Sequence, residues 1–166
     1  MNSVAFAERS KVARHEAVHA AASIFVADAV PDEVRVVPLA DDESGYITGF
    51  CEGPAKPSVH AVVIACGIVD GHGIHGDGEG DVYELEQLVP DIDARARVLD
   101  IARQVMEHRE FRSLRDAIRR RLQFRDVLYR AEIEQIAASV STVPGAGLLP
   151  GAPRPSAATS AGVSVT

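Results

Sequence analysis

Between Val12 and Val26 the chain reads Val-Ala-Arg-His-Glu-Ala-Val-His-Ala-Ala-Ala-Ser-Ile-Phe-Val, a run without Gly or Pro. A stretch this apolar and this compatible with a helix is expected to be buried rather than a solvated surface helix. Val12, Ala22 and Val26 fall near one face, and Ile24 and Phe25 widen the apolar stripe. His15 and His19 belong to that face. Residues four apart on a helix are turned only about 40° from each other, so both imidazoles leave the same side. Buried imidazoles need partners. Either they are core histidines satisfied by hydrogen bonds, or they bind one Zn²⁺ together. In the second case Glu16 lies beside the open coordination position, where it can take a proton from a zinc-bound water.

A length of 166 residues suits a single domain with a real core, and 46% hydrophobic residues at a net charge of −7 exclude an intrinsically disordered chain. The charge is unevenly spread. Residues 1–94 carry 5 basic and 17 acidic side chains, whereas residues 95–125 carry 10 Arg and 4 acids. A basic helical segment can meet nucleic acid, but its Arg side chains can equally pair with acids of the same chain, and the second reading is preferred. Cys51 and Cys66 form neither a disulfide framework nor a Cys-x-x-Cys pair, so the expectation is reduced thiols in a cytoplasmic protein, Cys66 buried. No signal peptide or membrane span is expected.

The pattern predicts a first helix that starts near Ser3–Phe6 and ends by Ala29, before Pro31. Two strands follow, Glu33 to Leu39 and Gly45 to Cys51, paired antiparallel across an Asp41–Gly45 turn. Ser58 is expected to cap a second apolar helix, Val59 to Val69. The glycine-rich stretch Asp70 to Asp81 reads as a flexible loop on which a site could be built. Asp81 then caps a short helix, Val82 to Val89, stopped by Pro90. Further helices are predicted from Asp91 to His108 (Ala94, Val98, Ile101, Ala102 and Val105 inward), from Phe111 to Phe124 (Leu114, Ile118 and Leu122 inward), and from Arg130 to Val140 (Ile133 and Ile136 inward). Residues 142–166, rich in Pro, Gly, Ala and Ser, are expected to be a disordered tail. The fold class is therefore α+β, mostly helical with a small antiparallel sheet.

A catalytic zinc takes a third protein ligand. The downstream candidates are His60, His72, His75, Asp77, Glu79, Asp81 and Glu84. His60 sits on an apolar helix and suits a core or boundary position; His72 and His75 lie between glycines. Asp81 and Glu84 stand at a helix start, where free N–H groups can orient a carboxylate. An EF-hand reading of Asp77-x-Glu79-x-Asp81 fails, because Val82 occupies the Gly position and Leu88 the bidentate Glu position. A phosphate-binding loop fails too, since no Gly-Lys-Ser/Thr follows.

In order along residues 8–140, these pieces resemble the zinc peptidase domain of the FtsH-type proteases. His15-Glu-Ala-Val-His-Ala20 is similar to that family's His-Glu-Ala-Gly-His-Ala helix. Val34-Arg-Val-Val-Pro38 and Ser44-Gly-Tyr-Ile-Thr48 resemble its Val-Thr-Ile-Ile-Pro and Leu-Gly-Tyr-Thr strands. Ala65-Cys-Gly-Ile-Val-Asp70 resembles its Ala-Gly-Arg-Ala-Ala-Glu helix, and Gly80-Asp-Val-Tyr-Glu-Leu-Glu-Gln87 its Ser-Asn-Asp-Leu-Glu-Gln segment, whose Asp is a zinc ligand. The resemblance implies a zincin-like metalloendopeptidase over residues 1–141, with His15, His19 and Asp81 on Zn²⁺, Glu84 as second choice for the third ligand, and Glu16 as general base. It implies a peptide or protein substrate aligned on the strand edge near Tyr46-Ile-Thr48, and a homo-oligomer or a separate ATPase as partner. No nucleic acid is expected. The alternative is a zinc-binding, non-hydrolytic interaction protein built on a peptidase fold. Val18 departs from the family's Gly, and the sequence carries neither the ATPase module nor the membrane anchor, so a free-standing domain is expected.

Overall fold

The computed structural model describes residues 3–38, 47–52, 57–71 and 77–141. Its centre is helix α1 (Ser3–Ala27). Val12, Ala13, Ala17, Val18, Ala20, Ala21 and Ala22 are all fully buried, on every side of the helix rather than along one stripe. Such a helix must be covered all round. Two helices and the sheet contact it: α2 (Pro57–Asp70), α5 (Arg109–Leu122) and strands β1 (Glu33–Pro38) and β2 (Ile47–Glu52). The alanines let these neighbours come close. Val18 is absorbed in the core.

α1 stops where Asp28 turns into the left-handed region, φ 50°, and the Ala29 amide returns to the Ser23 carbonyl at 3.1 Å. The helix thus ends at Ala27, within the expected limit of Ala29. β1 then runs down the middle of a three-stranded antiparallel sheet, order β2-β1-β3, where β3 is Val127–Tyr129. Its register pairs Glu33 with Glu52 and Pro38 with Ile47 on one side, and Glu33 with Tyr129 on the other. Val34, Val36 and Leu128 are buried, as period-two alternation requires. Pro38 is the last strand residue, where a missing N–H does least harm.

The remaining elements are α3 (Asp77–Leu88), α4 (Ile92–Glu107) and α6 (Arg130–Ser141). Asp91, expected as the first residue of α4, caps it instead: its carboxylate accepts from the Ala94 amide at 2.6 Å. α5 buries Phe111, Leu114, Ile118 and Leu122 on one face. The Arg9 side chain, 7% exposed, reaches from α1 to the end of α5 and donates to the carbonyls of Leu122, Gln123, Arg125 and Val36. It thereby satisfies carbonyls that a helix C-terminus leaves open. The chain is thus α+β and mostly helical, and no described helix is long and apolar enough to cross a membrane.

Several expectations need correction. β3 was not anticipated. α2 starts at Pro57, which suits the first helical turn because its absent N–H is not needed there, so Ser58 lies inside the helix instead of capping it. α3 begins at Asp77 despite Gly78 and Gly80, so Asp81 stands in its second turn and is not a cap. Packing against α2 outweighs the poor helix propensity of two glycines. Ile101 is 46% exposed, leaving Ala102 and Val105 as the buried positions of α4. α5 ends at Leu122, and Phe124 is 79% exposed. The Asp41–Gly45 turn and the 142–166 tail lie outside the described residues.

Candidate metal centre

α1 packs along α2 and carries His15, Glu16 and His19, all three buried. The two rings stand edge to face, centroids 4.6 Å apart and planes at 84°, with their Nε2 atoms 3.1 Å apart. α3 packs on α2 and brings Asp81 to the same point. Its Oδ2 lies 3.2 Å from His19 Nε2 and 3.4 Å from His15 Nε2. The three atoms make a nearly equilateral triangle. A tetrahedral ion held at about 2.0–2.1 Å spaces its ligands about 3.3 Å apart, so all three edges match within about 0.2 Å.

The donor chemistry fits as well. Asp81 Oδ2 is buried yet accepts no hydrogen bond of good geometry, although two ring nitrogens lie within hydrogen-bonding distance of it. A buried carboxylate oxygen in that state is short of a positive partner. The local field favours one. Burial works against a charged His19 imidazole, but the short contact with Asp81, the negative charges of Asp81 and Glu16 and a hydrogen bond with the Val63 backbone outweigh it, holding the ring above the ordinary histidine value. The Val63 contact also fixes the ring, as outer partners of metal-binding histidines do. His15, His19 and Asp81 could therefore hold a metal ion.

The contact of α1 with α2 is braced nearby. Arg14, next to His15, forks onto Asp70 at the end of α2, with Nε and Nη2 2.8–3.2 Å from the two carboxylate oxygens. The Asp70 side chain is wholly buried, so this bidentate pair ties the ligand-bearing turn of α1 to α2.

The other candidates go elsewhere. Glu84 faces His60, Oε1 to Nε2 2.8 Å, in a half-exposed pair between α3 and α2. His60 is therefore a boundary histidine, and Glu84 is engaged away from the triangle. His72 and His75 lie outside the described residues; Asp77 and Glu79 belong to the first turn of α3. Tyr46 is likewise outside them, while Ile47 and Thr48 open β2, an edge strand of the sheet. Cys66 is buried and free. One residue beside the triangle was not anticipated from sequence, Gly67 of α2, whose signal was a lone glycine inside an otherwise apolar helix. No protein-family model, characterised protein or solved structure matches this chain.

Proposed function

We propose that the protein is a zinc-dependent peptide hydrolase, with His15, His19 and Asp81 as metal ligands and Glu16 as general base. The observation that carries this reading is the triangle of two imidazole nitrogens and one carboxylate oxygen with edges of 3.1, 3.2 and 3.4 Å. Two nitrogens and one oxygen suit zinc better than the all-oxygen preference of magnesium or calcium. Among the described residues the cluster offers three ligands, the number a catalytic zinc takes while keeping a fourth position for water. When bound, zinc supplies a Lewis acid and lowers the pKa of water into the neutral range.

Glu16 supports the hydrolytic half of the proposal. It follows His15 directly on α1, is 5% exposed, and its charge is felt at His19. A carboxylate there can accept a proton from the attacking water and pass it to the leaving amine. β2, at one end of the sheet among the described residues, offers backbone groups on which an extended peptide can align.

The test has two parts. Purified protein should contain about one zinc per chain, falling to near none in His19→Ala. Glu16→Gln should keep the zinc and lose peptide hydrolysis by about 10²-fold or more. A Glu16→Gln protein with unaltered turnover refutes the base. Zinc without hydrolysis of any peptide in the wild type leaves the non-hydrolytic interaction protein as the reading.

A further inference from the structure

We infer that Gly67 is a positioning residue of the metal centre: position 67 must lack a side chain for His19 and Asp81 to close on one ion. The inference rests on the metal reading above and concerns a residue that contributes no ligand. A Cβ at Gly67 would stand 2.5 Å from Asp81 Oδ2, 2.5 Å from His19 Cε1 and 2.6 Å from His19 Nε2. Carbon needs well over 3 Å from each of these atoms. Two of the three contacts are ligand atoms, and they come from different elements, α1 and α3, so α2 sits against both. A methyl group there has two courses. It takes the space of the ion, or it drives the imidazole and the carboxylate off their shared point. Both end three-point coordination.

The backbone at Gly67 does not call for glycine. It lies in the interior of α2, where glycine weakens a helix relative to alanine. Its φ is not in the left-handed region, unlike that of Gly71 at φ 65°. All three nearest atoms that a Cβ would meet belong to His19 and Asp81. A helix-weakening residue is thus kept at the position where any side chain would enter the site. Gly80, on α3 beside Asp81, is the contrast: a Cβ there meets nothing within 4 Å.

The experiment compares wild type, Gly67→Ala and Gly80→Ala for zinc content, zinc affinity by competition with a chromophoric chelator, and melting temperature with and without zinc. Gly67→Ala is expected to keep the helical circular-dichroism spectrum, to melt at or above the temperature of the metal-free wild type, and to lose zinc affinity at least a hundredfold. The zinc-dependent rise in its melting temperature should vanish. Gly80→Ala should bind zinc as wild type does. Zinc affinity of Gly67→Ala within threefold of wild type overturns the inference while leaving the metal centre standing. Failure of Gly67→Ala to fold also overturns it, since the glycine would then serve helix packing. A wild type that takes up no zinc removes the metal reading itself, and this inference with it.

Discussion

Asp81 and Glu84 show how far one side chain's surroundings decide its role. Both are carboxylates of α3, three residues apart, yet Asp81 meets two buried imidazoles and Glu84 meets the half-exposed His60. Asp81→Ala should abolish zinc binding, whereas Glu84→Ala should leave zinc content unchanged and cost at most about 0.5 kcal/mol, as exposed pairs do; metal analysis and denaturant titration check both. In the sequence, Asp81 stands ahead of Glu84 through the resemblance, on a supposed place at the helix start. Asp81 joins the triangle, but from the second turn, because helix formation at Gly78 and Gly80 depends on packing that composition does not display. Cys66 offers a separate test. Burial pushes its thiol from 9.0 up to about 12. An acid raised in the native state stays protonated while the unfolded chain ionises, so stability falls as pH rises above about 9. Between pH 8 and 9.5 the wild type should lose about 1 kcal/mol that Cys66→Ala does not lose, read from urea midpoints at the two pH values.

Two places decide how the elements join. Arg9 holds the end of α5 and strand β1 to α1 through four carbonyls and a 2.8 Å ion pair with Asp126. Arg9→Met should lower stability by about 3 kcal/mol, since it leaves several buried acceptors without a donor; thermal melts would show this. Asp28, by contrast, is a negative charge at a helix C-terminus in a conformation that suits glycine. Asp28→Gly should raise stability by about 0.5–1 kcal/mol, a rise in melting temperature of a few degrees. α1 was legible because it is long, apolar and free of Gly and Pro, and α4 and α5 because their apolar residues recur at helical spacing. β3 was not, because Val127–Tyr129 is too short to display an alternating pattern. It forms because β1 has a second edge to satisfy, and the flanking bonds Val36 N to Asp126 O (2.8 Å) and Arg130 N to Asp32 O (2.9 Å) extend that edge beyond the strand. A demand created by one strand cannot be read in the residues of another.

At the scale of the whole molecule, the uneven charge is partly settled within the chain. Arg103 pairs with Asp100, Arg115 with Asp116, Arg125 with Glu132, and Arg95 approaches Glu86 at 3.8 Å. Four Arg of the basic segment thus meet acids of the same chain; if the basic face is a solvated one, electrophoretic shifts with single- and double-stranded nucleic acid at low salt should show no binding. The triangle has a further consequence. Of its three corners, two belong to the first helix and the third lies more than sixty residues downstream, on α3. An ion seated there is a cross-link across most of the N-terminal half of the protein, and the chain entropy it removes from the unfolded state grows with the span it closes. Chelation would therefore act as the cutting of a tether as well as the loss of a reagent, and α3 is the segment whose amide protons should exchange fastest once the tether is gone.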